Sequence, residues 1–514
     1  MITFETITTF LLTGFQKWWG QEFWLTRFIF LRALGMIYFV AFLGLFNQFK
    51  PLFGQNGLLP AQLFLQQLNK NFSSKWVAML QHPTLFWVHI SDQLMWVFAL
   101  AGVILSAAVV LGLSNGITML ILWVLYLSFV HIGQVFYGYG WESLLLETGF
   151  LSIFLYPFWN LQWFPAHHAP PKLIMVLLLW VLFRNMFGAG MIKLRGSESW
   201  RDLTSLFYHF ETQPIPNPLS PWFHRLPRWM LKGGVLFNHF VELMIPFFYF
   251  LTAPFRIIGG VFTVLFQLIL ILSGNLSWLN WLTIVLCIPC FDDRIWRLLL
   301  PNTLIGQLPS VSLAYPISIH VILVLLGSLI AYLSINPIKN LIGPHQAMNT
   351  SHDAYHLVNS YGAFGHIGET RYEIVISGRQ SLAENTWHAY EFKAKPGNPR
   401  KGHPIISPYH YRLDWQVWFA SMGSYQQNPW LVHLVYKLLI NDAEILQLIQ
   451  FNPFPNEAPV EIKIDLYHYE FPSHQGERQI KWRRHYIRQY LPPLTKDNPS
   501  LIQYLHQYGW DEHE

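Results

Sequence analysis

Residues Gly190–Ser220 read GMIKLRGSESWRDLTSLFYHFETQPIPNPLS and concentrate charge, histidine and proline between two strongly apolar segments. Leu203–Phe210 has the spacing of a short amphipathic helix, and the prolines of Gln213–Pro218 favour an extended, polyproline-like path. Two interpretations remain open. The stretch is either an ordinary interfacial loop or the polar functional end of a membrane protein.

The chain on both sides of this stretch is apolar. Of its 514 residues, 53% are hydrophobic and only 12% are charged, whereas charged residues make up about 25% of a typical soluble protein. The net charge of +5 is small, and the basic residues are scattered or lie beside apolar segments. The composition therefore predicts a membrane protein that contacts lipids and has no nucleic-acid partner.

Apolar segments long enough to cross a bilayer, which takes about 20 residues, recur along the first two thirds of the chain. The sequence predicts about nine of them: Trp24–Phe46, Phe86–Gly112, Gly116–Phe136, Trp141–Trp159, Leu173–Leu194, Val235–Leu251, Ile257–Ser273, Leu276–Pro289 and Pro316–Ile335. The eighth is short enough to be re-entrant. An odd number of spans puts the two ends of the chain on opposite sides, and the distribution of Lys and Arg leaves the orientation open.

The last third of the sequence has a different pattern. Arg371–Gly378, Trp387–Lys395 and Val460–Phe471 alternate as strands do, and Trp430–Ile449 has helical spacing. The sequence therefore predicts an α-helical multi-pass membrane bundle over residues 1–336, with a polar loop at 194–234. A soluble, β-rich, β-sandwich-like α+β domain is predicted to follow over residues 337–514.

Seven ionisable residues lie in or beside the apolar segments, where an unpaired charge is costly. They are Arg32, Glu142, Glu147, Arg184, Lys193, His239 and Glu242. We expect these side chains to face one another or a cavity. They are predicted either to form interior salt bridges that fix helix packing or to line a polar site in the membrane.

Few motifs of soluble chemistry occur in this sequence. Cys287 and Cys290, the only cysteines, form a Cys-Ile-Pro-Cys pair with the spacing used in thiol exchange. They are predicted to be structural or incidental, and a redox role is the alternative. The sequence has no HExxH, P-loop, dinucleotide-binding or GxSxG motif. We therefore expect no metal and no cofactor.

Sequence blocks distributed over nearly the whole chain resemble the lipase maturation factor family. They include FLRALGMIYFVAF (Phe30–Phe42), GQNGLLP (Gly54–Pro60), WESLLLETGFL (Trp141–Leu151), FRNMFGAGMIKLRG (Phe183–Gly196), SWRDLTSLFYHFETQPIPNPLSPWFH (Ser199–His224), NHFVEL (Asn238–Leu243), SGNLSWLNWLT (Ser273–Thr283), CFDD (Cys290–Asp293), YEFKAKPG (Tyr390–Gly397) and SPYHYRLDWQVWFA (Ser407–Ala420). The blocks occur in that family's order, and none of them is a generic motif.

The resemblance implies a membrane-embedded, chaperone-like factor that helps secreted lipases or other exported hydrolases to fold and assemble. A eukaryotic member would lie in the endoplasmic reticulum membrane with a lumenal C-terminus, and a bacterial member would lie in the cytoplasmic membrane. Client binding would map to about Tyr372–Phe454. The candidate contact residues are Tyr409, His410, Tyr411, Arg412, Asp414 and Trp415.

A fainter likeness supports an alternative, enzymatic function. AGMIKL followed by Trp200 is similar to a membrane helix of the vitamin K-dependent carboxylase type, in which the lysine is the catalytic base. By that likeness Lys193 would be the base. The Asn-Asn-His element of those enzymes is replaced here near Gly140–Glu142, and Lys193 is otherwise predicted to pair with Glu142, Glu147 or Glu242.

Overall fold

The computed structural model of the protein describes residues 22–155, 157–164, 168–306, 308, 315–472 and 480–510. Six of the described helices are long and apolar enough to cross a membrane: Trp24–Phe53, Asp92–Leu111, Lys172–Arg195, Arg228–Phe250, Ala253–Ser273 and Ile317–Ile342. The prediction of a multi-pass helical bundle is confirmed. The predicted number of about nine spans is not.

The other predicted spans form shorter helices. Gly116–Ile132 and Leu279–Cys290 are apolar but have fewer than 18 residues. The predicted span Trp141–Trp159 forms the 13-residue helix Gly140–Ser152, which is about 20 Å long at 1.5 Å per residue. That length is less than the roughly 30 Å of a hydrocarbon core. Helix Gly140–Ser152 is instead almost wholly buried among the other helices.

The α-helices follow one another through the membrane part and into the C-terminal region. In chain order they are α1 (Trp24–Phe53), α2 (Ala61–Asn71), α3 (Lys75–Gln81), α4 (Asp92–Leu111), α5 (Gly116–Ile132), α6 (Gly140–Ser152), α7 (Lys172–Arg195), α8 (Glu198–Arg201), α9 (Leu206–Thr212), α10 (Ser220–His224), α11 (Arg228–His239), α12 (Ala253–Ser273), α13 (Leu279–Cys287), α14 (Asp293–Leu299), α15 (Asn302–Ile305), α16 (Ile317–Leu333), α17 (Ile335–Ile342), α18 (Arg412–Ser421), α19 (Pro429–Leu439), α20 (Ala443–Leu446) and α21 (Pro499–Tyr508). A π-helical turn, Phe240–Met244, and a 3-10 segment, Ile245–Phe250, prolong α11.

The N-terminus of α1 is capped by a residue far away in sequence. Phe23, at the cap position, makes no side-chain hydrogen bond to the helix. The carboxylate of Asp293 accepts hydrogen bonds from the backbone N–H groups of Trp24 and Leu25, each at 2.9 Å. The first N–H groups of a helix lack intrahelical partners, so a buried carboxylate there is stabilising. Asp293, the last residue of the CFDD block, therefore acts as the N-terminal cap of α1.

The described residues of the C-terminal region form eight strands: β1 (Thr350–Ser351), β2 (Asn359–Ser360), β3 (Arg371–Arg379), β4 (His388–Ala389), β5 (Glu391–Phe392), β6 (Ile449–Phe451), β7 (Glu461–Glu470) and β8 (Arg483–Leu494). Strands β4-β3-β7-β8 form one antiparallel sheet, and β1-β2 and β5-β6 form two-stranded sheets. Helix α18 packs near β3, and α19 near β7. The α+β description fits, but the described strands include no second large sheet, so the β-sandwich detail is not supported.

Two predicted C-terminal elements are divided in the structure, and one of them is the predicted strand Trp387–Lys395, which forms the short strands β4 and β5. The single helix expected over Trp430–Ile449 is interrupted after Leu439, where Asn441 adopts a φ of 56°. The side chain of Asp442 then caps α20. A residue in the left-handed region ends a helix, and the apolar periodicity continues across this break because both helices cover the same core.

The membrane bundle and the C-terminal region share one continuous apolar core. A single cluster of buried side chains includes Phe42 and Leu144 from the bundle and Val435 and Ile464 from the C-terminal region. The C-terminal region is therefore packed against the helices rather than joined to them only by the chain.

We predict that Gly102→Ala destabilises the bundle by about 1–3 kcal/mol, the usual cost of overpacking. A Cβ at Gly102 would lie 2.1 Å from a ring carbon of Phe42, on the facing helix α1. Gly233→Ala is the matched control, because a Cβ there meets nothing within 4 Å. Thermal unfolding in detergent measures both variants, and equal melting shifts would contradict the prediction.

Candidate functional site

The polar loop between α7 and α11 caps a neighbouring membrane helix. The amide of Asn217 donates to the carbonyls of Ile271 (3.2 Å) and Leu272 (3.1 Å), and the hydroxyl of Ser220 donates to that of Ser273 (2.7 Å). The last carbonyls of a helix have no intrahelical partners. The proline-rich path therefore brings polar side chains to the C-terminal end of α12.

The same loop contacts the C-terminal region. The indole N–H of Trp200 donates to the carbonyl of Phe364 at 2.8 Å. The guanidinium of Arg371, at the start of β3, donates to the carbonyls of Glu211 and Pro214, each at 2.9 Å. The loop is thus a connector between the helices and the β-sheet.

A buried salt bridge joins the C-terminal region to the bundle. Arg412 Nη1 lies 2.8 Å from Glu142 Oε1, and the two side chains are 1% and 0% exposed. Arg412 also donates to the carbonyl of Phe136 at 2.7 Å and lies 3.4 Å from the ring centroid of Tyr137. The hydroxyl of Tyr126 donates to Glu142. Each charge therefore has an opposite charge and neutral hydrogen-bonding partners.

The segment around Arg412 is held by α1 as well. The side-chain amide of Gln48 donates to the carbonyl of His410 at 2.8 Å and accepts the backbone N–H of Arg412 at 3.0 Å. The carboxylate of Asp414 accepts the backbone N–H of Lys395 at 2.9 Å. Burial raises the pKa of Asp414 above its ordinary value, against the opposing effect of these hydrogen bonds.

The six candidate client-contact residues accordingly lie in an internal junction. His410, Arg412, Asp414 and Trp415 are buried, and Tyr409 and Tyr411 are half-buried. In this conformation His410, Arg412 and Trp415 contact the bundle. Asp414 bonds within the C-terminal region. A buried guanidinium requires an acidic partner, and that partner lies in the membrane part of the chain.

A second ion pair connects α6, α7 and β2. Arg184 and Glu147 are paired, and both are buried. The carboxylate also accepts the backbone N–H of Asn359 at 3.1 Å and the hydroxyl of Tyr361 at 2.6 Å. Arg184 donates to the carbonyl of Asn359 at 2.6 Å. This pair therefore fixes the segment that enters the C-terminal region.

The third ion pair lies where α7 meets the prolonged α11. Lys193 Nζ is 2.5 Å from Glu242 Oε1 and 3.1 Å from Asn238 Oδ1. The Asn238 amide donates to the other oxygen of Glu242 at 2.8 Å, and the ring of Trp200 lies 5.0 Å from the ammonium. In this Lys193 triad (Lys193, Asn238 and Glu242), each side chain therefore contacts the other two.

Arg32 and His239 lie outside these pairs. Arg32 donates to the carbonyls of Phe28 (3.0 Å) and Trp163 (3.2 Å). The ring of His239 lies 3.0 Å from the carbonyl of Trp200, behind the Lys193 triad. The seven ionisable residues are thus distributed over several separate places in the bundle.

Neither cysteine is exposed for thiol exchange. Cys287 and Cys290 are free and buried. The thiol of Cys287 donates to the carbonyl of Thr283 at 3.2 Å, and the carbonyl of Cys290 accepts from Arg256 at 3.2 Å. Within the described ranges, no three His, Cys, Asp or Glu side chains are grouped as metal ligands.

A cavity of about 350 Å³, here called the central cleft, lies between the bundle and the C-terminal region. Its lining is aromatic and apolar, with contributions from Tyr139, Trp141, Phe364, Trp415, Trp418, Phe419 and Met422, and it includes backbone of residues 361–368. Tyr372, Phe419 and Met422 at this cleft are 39%, 41% and 56% exposed. These three residues lie within the predicted client-binding region Tyr372–Phe454 but are not among its six candidate contact residues. The signal was present, because Trp415, Trp418, Phe419 and Met422 recur at helical spacing.

We predict that Arg412→Met lowers the free energy of unfolding by about 3–5 kcal/mol, because it leaves Glu142 buried without its partner. Lys50→Met is the matched control. Lys50 pairs with Glu444 and so also joins α1 to the C-terminal region, but its side chain is 49% exposed, and such pairs contribute about 0–1 kcal/mol. Thermal unfolding and limited proteolysis between the two regions measure the difference. A similar small effect of both variants would refute the anchoring role of Arg412.

Burial makes the junction sensitive to acid. His410 is 1% exposed, and its ring nitrogens have no hydrogen-bond partner among the described residues. Its pKa is well below 6.5, mainly because the ring is buried and also because the positive charge of Arg412 is nearby. The unfolded state therefore binds more protons below pH 6.5, and we predict that stability falls there by up to about 1.4 kcal/mol per pH unit. His410→Phe should flatten the dependence of melting temperature on pH, whereas His485→Phe, at a site with a 65% exposed side chain, should leave it unchanged. Identical pH profiles for all three proteins would contradict this.

Comparison with known proteins agrees with this architecture. Residues 25–298 match the lipase maturation factor transmembrane domain, and residues 357–492 match the lipase maturation factor C-terminal domain. The chain is 43% identical to lipase maturation factor 1 of Mus musculus and 41% identical to that of Homo sapiens, in each case over 95% of this chain and 90% of the relative. It is 31% identical to lipase maturation factor 2 of Xenopus laevis, over 94% and 84%. No solved structure matches. With both of the family's domains present in order around a shared core, the chain belongs to the lipase maturation factor family.

Proposed function

We propose that the protein is a membrane-embedded maturation factor that assists the folding and assembly of secreted lipases or other exported hydrolases. Membership of the family supports this function, and the single structural observation that carries it is the partly exposed aromatic stripe at the central cleft. Tyr372, Trp418, Phe419 and Met422 form this surface, here called the aromatic rim. Exposed apolar surface of this kind is typical of protein-binding sites.

The aromatic rim is suited to an incompletely folded client. Phe and Trp side chains bury a large apolar area on contact, at about 25 cal/mol per Å², and an unassembled hydrolase exposes apolar segments that a native one covers. Trp418 and Phe419 lie on α18, which is anchored by Arg412 at its first position. A rim on a rigid helix loses little conformational entropy when it binds.

In this proposal residues 1–336 hold the protein in the membrane and residues 337–514 meet the client. The client side is the lumen of the endoplasmic reticulum in a eukaryotic cell, or the outer side of the cytoplasmic membrane in a bacterium. Membrane lipids and the client are the partners. Binding without turnover is the expected activity, because Lys193, the base under the enzymatic alternative, is engaged by Glu242 and Asn238.

The test is photocrosslinking in the native host from a photoreactive residue placed at Met422. We predict capture of an exported hydrolase, and we expect Phe419→Ser to reduce that capture about fivefold or more, since truncation of an aromatic contact costs about 1–2 kcal/mol. Secreted hydrolase activity should fall in parallel.

The matched control is Phe451→Ser. Phe451 is 56% exposed but does not line the central cleft, so its truncation should leave capture unchanged. Equal loss with both variants, or capture of lipid alone, would refute the aromatic rim as the client surface.

A further inference from the structure

A second cavity of about 200 Å³, here called the membrane cavity, adjoins the central cleft within the helical bundle. Helices α7, α11, α12 and α13 form its walls, and most of the exposed lining is apolar, as at Ala189, Phe237 and Phe266. His209 and Phe364 line both cavities. The membrane cavity therefore lies beside the central cleft, and three of its wall helices, α7, α11 and α12, belong to candidate membrane spans.

The outer end of the membrane cavity is lined by exposed side chains of two candidate membrane spans. Met230 on α11 and Ile269 on α12 line it and are 40% and 42% exposed. Both helices belong to candidate membrane spans, so an outward-facing side chain on them meets acyl chains. Phe237 and Phe266 make contact across the cavity wall, with ring centroids 6.1 Å apart. An apolar chain can thus enter between α11 and α12 without crossing water.

The inner end of the membrane cavity presents no net charge. Lys193 and Glu242 both line it, but they neutralise one another at 2.5 Å, and Asn238 bridges them. A carboxylate or phosphate ligand would have to break this buried pair to find a cation, at a cost of several kcal/mol. The cavity therefore selects against anionic lipids.

An unsatisfied hydrogen-bonding group lines the inner end. Asn280 is 2% exposed; its amide nitrogen donates to Gln267 at 2.7 Å, and its oxygen has no partner among the described residues. The ring of His209 also lines the cavity, and burial lowers its pKa to about 4, so it is neutral at physiological pH. An unpaired acceptor in a buried site favours a ligand that brings a hydroxyl donor.

We propose that the membrane cavity binds an uncharged, hydroxyl-bearing lipid of the acylglycerol class. Its acyl chain lies between Phe237 and Ile269, and its hydroxyl groups donate to Asn280 and exchange hydrogen bonds with His209. This site is separate from the aromatic rim, because none of the four rim residues lines the membrane cavity.

The full-length protein in detergent is labelled with a photoreactive monoacylglycerol, and peptide mapping locates the label. We expect saturable labelling within residues 226–283, displaced by unlabelled monoacylglycerol. A photoreactive fatty acid of the same chain length should label at least about tenfold less, because a buried charge without a partner costs more than 1.4 kcal/mol. Equal labelling by the fatty acid, or labelling that no lipid displaces, would overturn the proposal.

Variants on one helix separate a filled cavity from a damaged fold. Gly234 lines the membrane cavity and Gly233 beside it has open space around its Cβ position. Gly234→Leu should reduce monoacylglycerol labelling about tenfold, whereas Gly233→Leu should retain it. Asn280→Leu, which removes the acceptor, should lower monoacylglycerol labelling about fivefold and leave fatty-acid labelling unchanged. Unchanged monoacylglycerol labelling in both Gly234→Leu and Asn280→Leu would overturn the site.

Discussion

The buried contact between Arg412 and Glu142 is the interaction on which the relation of the two regions depends. Two charges with at most 1% exposure are stable only together, so the start of α18 has one position on the bundle. The position of strand β3 is fixed in a similar way, because Arg371 at its start donates hydrogen bonds to carbonyls of the polar loop. The C-terminal sheet is therefore oriented by charges that the membrane helices carry.

The other polar residues of the bundle also have structural roles. The Glu147–Arg184 pair holds Asn359 and Tyr361 at the entry to the C-terminal region, and the Lys193 triad supports the polar loop through Trp200. The Arg412–Glu142 and Glu147–Arg184 contacts contribute to docking, and the exposed apolar surface at the central cleft is available to a partner. A rigid support with an exposed aromatic rim is consistent with a protein that binds incompletely folded chains.

Much of the architecture was predictable from local patterns. Apolar length identified the bundle, and alternation identified β3 and β7. The count of spans was not predictable, because α6 is mostly apolar but is buried in protein. Hydropathy does not distinguish burial in protein from burial in lipid. The break at Asn441 was missed because the apolar period continues across it. Four of the six candidate client-contact residues, His410, Arg412, Asp414 and Trp415, were expected at a contact surface, but they are buried inside the protein.

The sequence by itself determined that this is a helical membrane protein with an α+β C-terminal region. It also determined which ionisable residues lie in apolar surroundings and which family the chain resembles. These three conclusions depend on composition, periodicity and local motifs. Only the tertiary structure decided which charges pair, since Arg412 and Glu142 are 270 positions apart, and which aromatic side chains remain exposed. Pairing and exposure depend on how distant segments meet. A buried charge specifies that it needs a partner, but the fold specifies which one.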